Sequence, residues 1–157
     1  MVRWLCILCF LVALWPGLAL AQSAALTEAY NRHKALDAQG RYAEAEPFAA
    51  EALELSNKEI GPDHPKTGIL LNNLALLYQD QGRYAEAEPL FRRSLAIDEK
   101  TFGPDYPSVA TYLDSLAAVY QAQGRYAEAE PLHKRSLAIR QKTLAPECLI
   151  YKREPAS

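Results

Sequence analysis

The sequence predicts an all-α chain, an α-solenoid of three stacked helix-turn-helix repeats. Three observations carry this. The octapeptide Gly-Arg-Tyr-Ala-Glu-Ala-Glu-Pro occurs at 40–47, 82–89 and 124–131, each time 42 residues after the last. Within a unit the apolar residues keep helical spacing: Leu71, Leu74, Ala75 and Tyr78 fall at i, i+3, i+4 and i+7. No stretch shows the alternation of a half-buried strand. A helix pair of this size cannot bury its apolar stripe alone, so the pairs must stack.

Residues 1–21 read first, as a signal peptide. Arg3 is the positive start, Trp4 to Leu14 form an uncharged apolar run, and Pro16-Gly17 break any helix before the small-x-small tripeptide Ala19-Leu20-Ala21. Cleavage is expected before Gln22, giving a periplasmic or secreted chain with no membrane insertion afterwards. The alternative is a retained anchor, since Trp4 to Ala21 could just span a bilayer. Cys6 and Cys9 lie inside this segment, so an exported chain keeps one thiol, Cys148, with no internal disulfide partner.

The repeats follow as 22–64, 65–106 and 107–148. The second unit is the clearest. Its first helix is expected from about Lys66 to Gln81 and ends at Gly82, which can adopt the left-handed conformation. Its second helix is expected from about Tyr84 to Thr101, with Tyr84, Ala87, Leu90, Phe91, Ser94 and Leu95 inward, and Gly103-Pro104 stop it. Pro89 falls near the fifth helical position and recurs as Pro47 and Pro131, so the unit accommodates it through a tightened first turn. Ala75 and Ala87 leave room for the two helices to approach. The first unit begins at about Leu26 and departs from the pattern: Arg32 and His33 replace Leu74 and Ala75, which predicts a solvated outer side. After the third unit the loop sequence becomes Ala145-Pro146-Glu147-Cys148, and 149–157 is a short tail.

These residues together resemble the tetratricopeptide repeat in its 42-residue form, as found in kinesin light chains. The likeness rests on Leu-Asn-Asn-Leu-Ala-Leu-Leu-Tyr at 71–78, on Gly82 to Leu90, on Ser94-Leu95-Ala96-Ile97, and on the Gly-Pro-Asp-His/Tyr-Pro loops at 61–65 and 103–107. It covers residues 26 to 147. The resemblance implies a concave groove, lined by the first helix of each unit, that holds a peptide segment. The positions it points to are Tyr30, Asn31 and Lys34 in the first unit, with Thr27 and Ala38 beside them. In the second they are Ile69, Asn72, Asn73 and Leu76, then Asp80. In the third they are Thr111, Asp114 and Ser115, then Ala118 and Ala122. All are expected to project away from the partner helix. An Asn amide both donates and accepts, so it can pair with any extended backbone. Ile69, Leu76 and Tyr30 would supply apolar contacts. Only Lys34 is basic, which argues against tight binding of acidic C-terminal tails.

Other functions find little support. Net charge is -2, so no basic face recruits nucleic acid. His33, His64 and His133 stand far apart, with no carboxylate or thiol at ligand spacing, so no metal site is expected. His64 reads as a loop residue and His133, in the place of Phe91, as a packing residue. None of the glycines forms a phosphate-binding loop. The Glu pairs at 44/46, 86/88 and 128/130 read as first-turn carboxylates favoured by the helix dipole. The expectation is therefore a non-catalytic interaction scaffold with no cofactor. The alternatives are a truncated or regulatory arm of a longer exported repeat-containing enzyme, or a unit that self-associates through an uncovered third repeat.

Overall fold

In a computed structural model, the structure describes the backbone of residues 15–151 and the side chains of 24–143. Six helices follow one another: α1 (Trp15–Asp37), α2 (Tyr42–Glu59), α3 (Pro65–Asp80), α4 (Tyr84–Phe102), α5 (Pro107–Ala122) and α6 (Tyr126–Tyr151). The described residues form helices and turns alone, the class expected. They fall into two compact units, Met1–Pro62 and Asp63–Ser157, divided within the first Gly-Pro-Asp loop. The first unit contains the antiparallel pair α1/α2. The second contains the pairs α3/α4 and α5/α6, with α4 packed on α5 and α3 touching α5.

The octapeptide is the joint of each pair. Gly82 has φ +74°, and the backbone N–H of Arg83 donates to Tyr78 O at 2.8 Å while Gly82 N–H donates to Gln79 O at 2.9 Å. These two bonds are a Schellman motif, which satisfies the last carbonyls of α3 and turns the chain. The same pair recurs from Arg125 to Tyr120 O and from Gly124 to Gln121 O. The next helix then starts tightly. Arg83 O accepts from both Glu86 and Ala87, at 3.1 Å each, as Arg41 O and Arg125 O accept from their equivalents. The first turn is thus tightened, and Pro89 lies inside the helix that follows.

The core of the second unit gathers where the small residues are. Ala75 and Ala87 are fully buried, and Phe91, Leu116, Ala117, Val119, Tyr120 and Ala129 complete their cluster. Val109, Ala110, Leu113 and Ile139 form a second cluster. Ser94 Oγ donates to Gly68 O at 2.8 Å, and Ser136 Oγ donates to Ala110 O at 3.0 Å, so each helix pair is also pinned by a buried hydroxyl. A Cβ on Gly68 would stand 3.3 Å from Ile97 Cγ2, a tight approach, although the next repeat carries Ala110 at the equivalent position beside Ile139.

Three expectations are corrected. First, α1 is already helical at Trp15 and does not begin near Leu26. Pro16-Gly17 do not break the chain before Ala19, since both lie within described helix. Residues 1–14 of the leader lie outside the described residues. No described helix is long and apolar enough to cross a membrane. Second, α6 runs to Tyr151 through Ala145-Pro146-Glu147-Cys148, where a loop was expected. Ala145 stands where Gly61 and Gly103 take positive φ, so the left-handed stop of the earlier units is lost. Third, the expected solvated side of α1 holds for Arg32, paired with Glu28 at 2.7 Å, but not for His33, which is 1% exposed. Position 33 matches Ala75, the point of closest helix approach, so it faces α2.

Candidate functional site

The second unit carries the best-defined part of the expected groove. Ile69 is 45% and Leu76 38% exposed, although both belong to the apolar run of α3. Asn73 lies between them, half-buried, one turn from each. On the adjacent α5, Thr111 is exposed and Ser115 half-buried, with Ser115 Oγ donating to Thr111 O at 3.1 Å. The α3 stripe thus offers two apolar side chains flanking an amide, beside a hydroxyl-bearing helix.

Asp114 is drawn away from that stripe, contrary to expectation. Asp114 accepts from Arg140 Nη2 at 2.5 Å and lies 3.0 Å from His133 Nδ1, both on the partner helix α6. Asn72, its equivalent, has its Oδ1 buried with no hydrogen-bond partner. Asp114 therefore turns towards the partner helix, whereas Asn72 is half-buried on α3. His133 is half-buried as expected, and it also makes a polar contact with Asp114.

In the first unit, α1 carries Tyr30, Asn31 and Lys34. Tyr30 is half-buried, its ring tilted 57° against His33 at 6.2 Å. Asn31 and Lys34 are exposed, and Lys34 Nζ donates to Asp37 at 3.2 Å. Thr27 and Asn31 line an open cleft of about 630 Å³ together with Ala24, Glu28, Arg32 and Ala35. Among the described residues, no three His, Cys, Asp or Glu side chains converge as metal ligands.

Sequence reasoning missed the polar junction that fixes the α4–α5 stack. Glu88 on α4 accepts from Arg125 Nη1 at 2.6 Å and from the Tyr120 hydroxyl at 3.1 Å. Arg92 Nη2 donates to the same hydroxyl at 2.5 Å. The Arg125 guanidinium also stacks 4.1 Å over the Tyr120 ring and grips Glu128 through two bonds of 2.7 Å. Partial burial would raise the Glu88 pKa; hydrogen bonds from Arg125 and Tyr120 outweigh it and hold the carboxyl below its ordinary range. The octapeptide's Glu and Arg were legible as a repeated pair. That one unit's Glu meets the next unit's Arg was not, because 37 residues separate them.

The comparisons with known proteins agree with this architecture. A family model for the tetratricopeptide repeat matches residues 24–100 and again 68–142. Among solved structures, BtubC (BKLC) from P. vanneervenii superposes with a TM-score of 0.68 at 24% identity, over 84% of this chain and 50% of that one. A kinesin light chain of Podosopora anserina, with nearly identical TPR-like repeats, gives 0.64 at 30% identity, over 75% of this chain and 56% of that one. A single-substitution form of that protein gives 0.66 at 29% identity, over 76% and 57%. The chain thus spans about half the length of these structures. No curated protein matches it. Repeats of this kind generally mediate protein–protein interactions, and with the two model matches together covering the three helix pairs the chain belongs to the tetratricopeptide repeat family.

Proposed function

We propose that the chain is a non-catalytic scaffold that holds an extended peptide segment of a partner protein along the first helices of its repeats. The observation that carries this is the α3 stripe, where Ile69 and Leu76 remain exposed around an Asn73 side chain that has no hydrogen bond among the described residues. Two apolar anchors seven residues apart with an amide between them suit a segment whose backbone pairs with Asn73. A random peptide library selected on the full chain tests it. Enriched peptides should lose at least tenfold in affinity on Asn73→Ala and on Leu76→Lys. Peptides that bind both variants unchanged would sink the reading.

Export belongs to the same proposal. It is supported by Arg3, the uncharged run from Trp4 to Leu14 and the Ala19-Leu20-Ala21 tripeptide. Intact-mass measurement on protein recovered from an exporting host should give an N terminus at Gln22. A mass that retains residues 1–21 would instead support a membrane anchor.

A further inference from the structure

The first and the last helix pair each carry one half of the α4–α5 junction, and the halves are complementary. In that junction Glu88 is braced by Arg92 on its own helix, at 3.1 Å, and receives Arg125 from the next unit. One repeat later Glu130 is braced in the same way by Lys134, at 2.5 Å, but lies exposed on α6. Arg125 reaches Glu88 with the Nη1 that also bonds Gln123, while its Nε and Nη2 grip Glu128. Two repeats earlier Arg41 is held identically, with Nη1 on Gln39 at 3.1 Å and Nε and Nη2 on Glu44. Its side chain is half exposed, and among the described residues no acid occupies the place of Glu88. Each partial charge pair is thus already ordered in the geometry it uses when complete.

The neighbouring positions agree. At the α4–α5 junction Asp98 is buried against α5, where Ser108 Oγ donates to it and Tyr112 feels its charge. On α6 the equivalent of Asp98 is Arg140, and on α1 the equivalent of Tyr112 is Glu28, both exposed. The substitution at one face is matched by a charge of opposite sign at the other. Leu95 packs into the α5 clusters, whereas its equivalent Leu137 is 57% exposed.

We propose that copies of this chain associate head to tail, with α6 of one copy on α1 of the next. Glu130 then receives Arg41, Arg140 meets Glu28, and Leu137 is covered. Such a contact is heterologous, so it does not saturate at two copies unless the ring closes. Being charge-driven and placed on partly exposed groups, it weakens as salt rises. It rests on the geometry of the repeat and not on the peptide-holding reading.

The test is sedimentation velocity on protein recovered from an exporting host, over a wide concentration range at low salt. The expected result is a sedimentation coefficient that keeps rising past that of a dimer and falls back in high salt. Glu130→Arg and Arg41→Glu should each weaken association at least tenfold, because each sets like charges face to face. An equal mixture of these two variants should associate again, since every junction between unlike copies restores one pair of opposite charges. Leu137→Glu, at an exposed position that does not bear on folding, should also abolish assembly, and circular dichroism melts confirm that each variant is folded. A monomer at every concentration overturns the proposal. So does a dimer that is indifferent to Arg41, which would be a two-fold contact between α6 helices, and so does an assembly that survives Leu137→Glu.

Discussion

His33 is the residue at which this chain departs furthest from its own repeat. Ala75 and Ala117 at the same position in later units are fully buried, and the imidazole is buried too, with neither ring nitrogen hydrogen-bonded. Burial disfavours the charged ring and lowers its pKa; Asp37 pulls the other way and Lys34 adds to the lowering. In the unfolded chain the ring titrates near its ordinary 6.5. Below that value the unfolded state takes up a proton that the folded state refuses, so stability falls as pH drops from about 6.5 towards the lowered folded pKa. His33→Leu should remove that slope and raise stability by about 1 kcal/mol, the cost of unpaired buried polar atoms. Denaturant melts at pH 7.5 and 5.5 read both effects, and an unchanged slope would contradict the account. His64 behaves differently. It was legible only as a loop residue, yet it caps α3, its Nδ1 accepting from Lys66 N–H at 3.1 Å. Tyr106, its equivalent, makes no such bond. His64→Ala should therefore cost about 1 kcal/mol, measurable by thermal melting, while Tyr106→Ala loses no cap.

At the scale of the element, the sequence conveyed helix interiors well and helix ends unevenly. Gly82 and Gly124 could be read because the left-handed turn they make needs a glycine, and the glycine recurs. Pro16 and Pro146 misled, because each was read as interrupting the chain and each lies within described helix, and only the surrounding backbone decides whether a proline stops a helix. The stripe on α3 was legible at Ile69, Asn73 and Leu76. The surroundings of Asp114 were not: a residue at the border of a helical face can turn to either side, and Asp114 is claimed by Arg140, 26 residues further on. The α4–α5 stack gives the element-scale prediction. Phe91→Ala removes the largest fully buried side chain of the second unit and should cost about 3–5 kcal/mol. Glu88→Gln keeps the shape and removes the charge, and should cost about 1 kcal/mol at neutral pH. Because the Glu88 carboxyl titrates below its ordinary 4.5 in the folded state, that contribution is present above pH 4.5 and disappears as pH falls through the lowered folded value. A Glu88→Gln chain whose acid melting curve matches that of the parent would contradict the role given to the Arg125 contact.

At the scale of the whole molecule the two units have unequal means of holding together. Their buried apolar residues differ in kind. Among the described residues of the first unit they are Ala29, Ala45, Ala49 and Ala52, with His33 as the largest fully buried side chain there. In the second they include Phe91, Leu71, Leu77, Leu113, Ile139, Val109 and Val119. A buried alanine removes only a small apolar surface from water, whereas each leucine, isoleucine or phenylalanine contributes about 1.5–3 kcal/mol of burial. A repeat protein gains stability unit by unit from such cores and from nearest-neighbour contacts. The first unit should therefore open more readily than the second. Native-state hydrogen exchange followed by peptide mass spectrometry would show this directly, since amides report the local opening free energy. Amides of α2, from Ala49 to Ser56, should exchange at least tenfold faster than those of α5 from Leu113 to Tyr120. Equal protection of the two segments would mean that the chain opens only as a whole, and that the alanine core of α1/α2 is as well supported as the leucine core of α3 to α6. A titration with selected peptide then separates local from global effects. Protection gained only in α3 and α5 would place binding on the Ile69–Asn73–Leu76 stripe, whereas protection gained in α1 would require Tyr30, Asn31 or Lys34 to take part as well.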